Sequence, residues 1–278
     1  PYYGMISDST GYLILSKFTR TATIEVRKAL IQLTDSLGAK QIVFDLRGNG
    51  GGLLREAVNI VNLFVPKGEE VVSMKGKTPE WNNNYSTQNK ALLPEIPLAI
   101  LIDNKSASAS EIVAGTLQDL DRAIIVGQES FGKGLVQQTK KLAYGSRIKI
   151  TVAKYYTASG RCVQRLHYGD RDDLGDAKIQ EDSTLQTFYT KNGRPVIEGR
   201  GVIPDIDIEN IKLNYVINGI LNSGIIFDFA IYQPEALVEE PKDFKLSESS
   251  WNEFVEFAVQ AFENQKRSMP YEASSSNL

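Results

Sequence analysis

A single cysteine, Cys162, and a single histidine, His167, stand in a chain of 278 residues. One cysteine excludes any disulfide within the chain, and the pair cannot supply the ligands of an ordinary Cys/His zinc site. Serine catalysis through a histidine base would have to use His167, which lies in the polar stretch "RCVQRLHYGDRDD" and reads as a solvated loop residue. No G-x-S-x-G elbow occurs either. A hydrolase built from this sequence needs a base other than histidine. Excess charge of one sign is also missing: 31 Lys and Arg against 34 Asp and Glu leave a net −3. Mixed charge of this kind gives no reason to expect nucleic acid or an anionic membrane surface as partner. No apolar run approaches the roughly 18 residues of a membrane-spanning helix. The chain opens on Pro1, without an initiator Met or a signal segment, as a processed piece of a longer protein would.

What is present is enough for one large domain, or a domain plus an appendage, at 42% hydrophobic and 23% charged residues. "GYLILSKFT" (11–19) reads as a strand, and the stretch from Thr21 to Lys40 has a helical spacing of Ile24, Val26, Leu30, Leu33 and Leu37 that ends at Gly38. "QIVFD" is a short buried strand running into glycines, and "LLREAVNIVNLFVPKG" returns to helical spacing. Alternation of buried strands with helices predicts an α/β domain with parallel pairing. Residues 75–95 are polar and Asn-rich and are expected to be an exposed loop. "IPLAILID", "SASEIVAGTLQDL" and "RAIIVGQ" follow as strand, helix and strand, and 134–156 turns to β character. Residues 163–200 are weakly patterned, an excursion with a short helix or hairpin. Beyond residue 208 the pattern is helical, ending on a face of Trp251, Phe254, Val255, Ala258, Ala261 and Phe262 before a frayed "ASSSNL".

Three stretches carry chemistry. "GQESFGKG" matches most of a phosphate loop, G-x-x-x-x-G-K-[ST], through Gly127, Gly132 and Lys133. Gly134 stands where the Mg²⁺-binding hydroxyl is needed, and the sequence that follows is β-like rather than helical, so a nucleotide is not the expected ligand. "SASASE" places Ser106, Ser108 and Ser110 where a strand ends and a helix begins. Ser108 and Glu111 form a capping-box pattern. The same geometry also sets a hydroxyl beside free backbone N–H groups able to stabilise an oxyanion. "RGNGGG" has glycine at four of the five positions 48–52. It is either a tight strand-to-helix connection or an anion-binding nest at the ligand-binding end of an open sheet.

Together and in this order, these stretches resemble the carboxyl-terminal processing (tail-specific) proteases, along with "TVAKYYTASGR" and "GVIPDI"; the matches run from about residue 11 to 206. The resemblance implies a serine endopeptidase with a serine–lysine dyad: Ser108 as nucleophile, Lys133 twenty-five residues later as base, and Gln137 orienting the lysine amine. It implies an oxyanion hole from the backbone N–H of Ala109 and of Gly51 or Gly52. A lysine is a base only when neutral, which apolar surroundings favour, with Phe131 and Leu135 the expected walls. Neither metal nor other cofactor is called for. The implied fold is an α/β ββα-superhelix of the ClpP/crotonase type over residues 1–207, with a helical C-terminal extension over 208–278. Implied partners are the C-termini of substrate proteins outside the cytoplasm, a PDZ domain ahead of this segment in the full-length protein, and a second copy in a homo-oligomer. A silent peptide-binding scaffold of the same fold is the alternative.

Overall fold

The structure, a computed structural model, describes residues 2–171, 175, 177–179, 185–209, 214–231 and 245–264. The chain forms two compact units, Pro1–Glu209 and Asn210–Leu278. In the first, β1 (Tyr2–Met5) pairs antiparallel with β2 (Thr10–Ile14), and α1 (Ala22–Ile31) leads to β3 (Gln41–Asp45). Val26, Leu30 and Leu33 are buried as their spacing predicts, whereas Ile24 and Leu37 are exposed. A π-helical turn, Gln32–Ser36, prolongs α1, and Gly38 follows it in the left-handed region at φ 76°. Then come α2 (Leu54–Val61), β4 (Glu70–Gly76), β5 (Asn83–Ser86), β6 (Leu98–Ile102), α3 (Ala109–Asp119) and β7 (Ile124–Gly127). The stretch 75–95 is therefore not simply a loop: Asn83–Ser86 pairs with β4 as an edge strand.

Two long strands, β8 (Leu135–Lys141) and β9 (Arg147–Thr157), follow as a hairpin. Within 163–200 the chain makes two short hairpins and no helix among the described residues: β10 (Leu166–Arg171) with β11 (Ala177–Ile179), and β12 (Thr187–Tyr189) with β13 (Pro195–Ile197). A last short strand, β14 (Ile206–Asp207), closes the main sheet, whose order is β1-β2-β3-β6-β7-β14, parallel from β2 onward. A second, antiparallel sheet has the order β5-β4-β9-β8.

Helix α3 is buried along all of its eleven residues because it is covered by α2 and β7 on the main-sheet side and by β4 and β9 of the second sheet. Gly115 allows the closeness: a Cβ there would lie 3.1 Å from the Thr157 methyl and 3.3 Å from Val202. At the far end of α3, Asp119 pairs with Arg161 at 2.9 Å, both side chains fully buried. Asp119 also accepts from Thr157 Oγ1 and the Ser159 amide. Removing one member of a buried pair strands the other charge. Arg161→Met is expected to lower unfolding free energy by about 3–4 kcal/mol in a urea titration; a loss under about 1 kcal/mol would show that the pair is dispensable.

The second unit contains α4 (Tyr215–Ser223), α5 (Ile225–Ile231) and α6 (Glu248–Asn264). Asn214 caps α4 by accepting from the Ile217 amide at 2.8 Å, and Gly224, at φ 78°, ends it. On α6 the expected face is half-buried to buried at Phe254, Val255, Ala258, Ala261 and Phe262, with Trp251 more exposed. Phe229 of α5 packs edge-on against Phe254, ring centroids 5.3 Å apart. None of the described helices is long and apolar enough to cross a membrane. The final "ASSSNL" lies outside the described residues.

Candidate active site

Three neighbouring parallel strands, β3, β6 and β7, deliver the glycine cluster, the serine triplet and the lysine loop from their carboxyl ends. Open α/β sheets bind ligands at that end. The serine triplet is held by its outer members. Ser106 and Ser110 are fully buried, and their hydroxyls donate to the carbonyls of Leu46 and Asn49, both at 2.8 Å. Ser108 between them is half-buried and lines a cavity of about 540 Å³. Its backbone sits at φ 58° and ψ −111°, a region that side chains with a Cβ rarely adopt. Holding a non-glycine residue there costs about 1–3 kcal/mol and is typical of sharp strand-to-helix turns that present a nucleophile.

The glycines let the first loop lie directly against this turn. Gly51 has φ 96°, and a Cβ on it would meet Ala107 O at 2.6 Å and Ala109 N at 2.9 Å. Asn49, fully buried, ties the loop together: its amide nitrogen donates to Leu15 O, and its Oδ1 accepts from the Gly51 N–H at 2.9 Å. The Gly51 amide is thus occupied. Among the described residues, the Gly52 and Ala109 amides have no hydrogen-bond acceptor, and both residues line the cavity.

Glycines also seat the lysine loop. A Cβ on Gly132, at φ 84°, would fall 2.5 Å from Arg165 Cβ, and one on Gly134 would fall 2.9 Å from the Gln164 amide. Gln164 Oε1 in turn accepts from the Gly134 N–H at 2.8 Å. Lys133, half-buried, lines the same cavity as Ser108, together with Leu135 and with Gln137, whose side chain is exposed. Phe131, expected as a wall, lines a neighbouring cavity of about 640 Å³ and is about half exposed. His167 lies on β10, exposed, at the edge of that second cavity.

Two buried side chains join the serine and lysine loops, and neither role follows from sequence spacing. Glu111 accepts four hydrogen bonds: from the Ser108 N–H (2.8 Å), the Lys133 N–H (2.9 Å), the Gly132 N–H (2.7 Å) and the Ser130 hydroxyl (2.6 Å). Complete burial pushes its carboxyl above the ordinary range, against these four bonds, which favour the charged form. The expected Ser108–Glu111 cap is only one of the four. Tyr155 on β9, also buried, donates its hydroxyl to Lys133 O at 2.6 Å, with Ser108 O at 3.1 Å. Burial raises its phenol well above its usual range, so it remains a donor. Peptide groups of both residues are therefore fixed by the same two side chains.

A profile of peptidase family S41 matches residues 9–169, more than half of the chain, and the chain belongs to that family. It is 40% identical over 158 residues to a carboxyl-terminal-processing protease of Synechocystis sp., covering 57% of this chain and 36% of that protein. A probable CtpA-like serine protease of Staphylococcus epidermidis is 39% identical over 200 residues, 71% of this chain and 36% of its own length. The chain thus spans about a third of the length of these curated relatives. Among solved structures, a photosystem II D1 C-terminal processing protease superposes with a TM-score of 0.55 at 27% identity, covering 77% of this chain and 46% of that one.

Proposed function

We propose that this segment is the catalytic core of a serine endopeptidase that trims the C-terminal tails of proteins. The observation that carries the proposal is the shared cavity of Ser108 and Lys133, with both backbones clamped by Glu111 and Tyr155. Ser108 Oγ attacks the scissile carbonyl carbon while Lys133, as general base, takes its proton. The oxyanion accepts hydrogen bonds from the Ala109 and Gly52 N–H groups, which have no other acceptor among the described residues. Collapse of the intermediate breaks the C–N bond, and the lysine ammonium returns its proton to the leaving amine. Water attacks the acyl-enzyme carbonyl as Lys133 takes its proton, and the ammonium returns that proton to Ser108 Oγ as the ester C–O bond breaks. Gln137, in the same cavity, orients the amine without adding charge.

Parallel strands delivering the site loops, with helices packed on the sheet, are compatible with a ββα-superhelix of the ClpP/crotonase type. In the full-length protein the core works beside a PDZ domain, outside the cytoplasm. A fluorophosphonate probe is expected to label the protein once, at Ser108, by peptide mass spectrometry, and Ser108→Ala or Lys133→Ala is expected to abolish labelling. A folded protein that stays unlabelled would instead favour a silent peptide-binding scaffold.

A further inference from the structure

The near-neutral total charge conceals a local excess. Residues 130–169 contain eight Lys and Arg and not one Asp or Glu, while the whole chain carries a net −3. Several of the eight are engaged. Arg161 is paired with Asp119, Arg165 with Glu129, and Lys140 lies over the Trp81 ring at 5.9 Å. Lys133 belongs to the proposed dyad. Three of the remainder share a place: the β8–β9 register pairs Gln137 with Thr151, Thr139 with Lys149, and Lys141 with Arg147. Paired residues lie on one face of a sheet, and alternate residues along a strand do too. Lys149, Lys141 and Arg147 therefore continue the face that carries Gln137, and Lys149 itself lines the cavity of Ser108 and Lys133. All three are exposed, and among the described residues none has an ion-pair partner.

We infer that this ladder of cations selects substrates carrying an acidic segment close to the bond to be cleaved. The inference rests on the serine–lysine reading above and adds the substrate's chemistry. Lys149 and Arg147 are two residues apart, about 7 Å along the strand. An extended peptide repeats its side chains on one face at the same interval, so carboxylates at alternate positions meet Lys149 first and the Arg147–Lys141 pair next. Of the other cations, Lys140 alternates off this face and lies over Trp81, whereas Lys154, paired with Leu135, shares the face on the other side of Gln137 and lines the neighbouring cavity. A patch meant only for an anionic lipid surface would have no reason to continue into the cavity of Ser108.

The test compares quenched fluorogenic peptides that share one small apolar core and carry Glu-x-Glu or Gln-x-Gln on its amino or its carboxyl side. In at least one arrangement the Glu peptide is expected to show about tenfold higher kcat/KM at low salt, the gain shrinking as ionic strength rises. The triple variant Lys141→Gln, Arg147→Gln, Lys149→Gln is expected to bring the Glu-to-Gln ratio close to one. Binding of the same peptides to Ser108→Ala protein, read by fluorescence anisotropy, separates the two proposals. A salt-sensitive preference for Glu peptides without cleavage by the wild type would retain the acidic-segment site and reject the peptidase. Equal kcat/KM and equal binding in both arrangements would overturn the inference, as would capture by phosphatidylserine vesicles with no preference among the peptides.

Discussion

Lys133→Ala is expected to lower kcat/KM on an unfolded protein substrate by about 10³-fold or more while leaving the thermal midpoint within a few degrees of wild type. The two halves of this expectation come from different parts of one residue. Lys133 lines the cavity of Ser108, where the proposed mechanism assigns its amine as the base that a serine hydroxyl needs. Its peptide group does the structural work, since the N–H is held by Glu111 and the carbonyl by Tyr155. Alanine keeps both hydrogen bonds and removes only the amine. Lys133→Arg should not restore activity, because a guanidinium does not deprotonate in proteins. Casein digestion with a parallel calorimetric scan checks both halves, and a variant that cleaves at the wild-type rate would remove Lys133 from the mechanism.

Glu111→Ala should instead destabilise the fold by about 4 kcal/mol or more, since four donors, two buried and two partly buried, lose their acceptor at about 1–3 kcal/mol each. Glu111→Gln is the more informative change. Glu111 Oε1 accepts from Ser130 and Gly132, whereas Oε2 accepts from Ser108 and Lys133. An amide oxygen can keep the Ser108 and Lys133 pair, but its NH₂ then faces the Gly132 N–H, donor against donor, and can reach only the Ser130 hydroxyl as an acceptor. A loss of about 2–4 kcal/mol is expected in guanidinium unfolding, accompanied by loss of fluorophosphonate labelling although every residue of the proposed dyad is intact. Unchanged stability with normal labelling would mean that the carboxylate does not join the two loops.

The parallel sheet was legible because its strands are short and apolar, and the loops at their carboxyl ends carry the serine triplet and Lys133, with the roles of Ser108 and Lys133 suggested by the family resemblance. Other features lay beyond a linear reading. The edge strand Asn83–Ser86 has polar residues because it pairs on one side only, so its sequence resembles a loop. Ile24 and Leu37 fit the helical spacing of the sequence, yet both are exposed, and Leu37 lies past the end of α1. Spacing does find Ser108 and Glu111 as a cap, but no local pattern reveals that the same carboxylate has three more donors some twenty residues downstream. Tyr155 is likewise one aromatic in a β run until the second sheet is folded over α3. The Gly51 amide, named with Gly52 for the oxyanion hole, is taken by Asn49, two positions away. That outcome depends on a side-chain rotamer, which composition does not encode.

The bridging of Ser108 and Lys133 through their peptide groups also bears on what can be transplanted. A serine and a lysine set into another scaffold at the right separation would form a pair whose loops still drift, and aligning them would have to be repeated at every turnover. Here Glu111 and Tyr155 remove that freedom in the resting protein. The portable unit of this architecture is therefore four residues, the two proposed for the dyad and the two that fix their peptide groups.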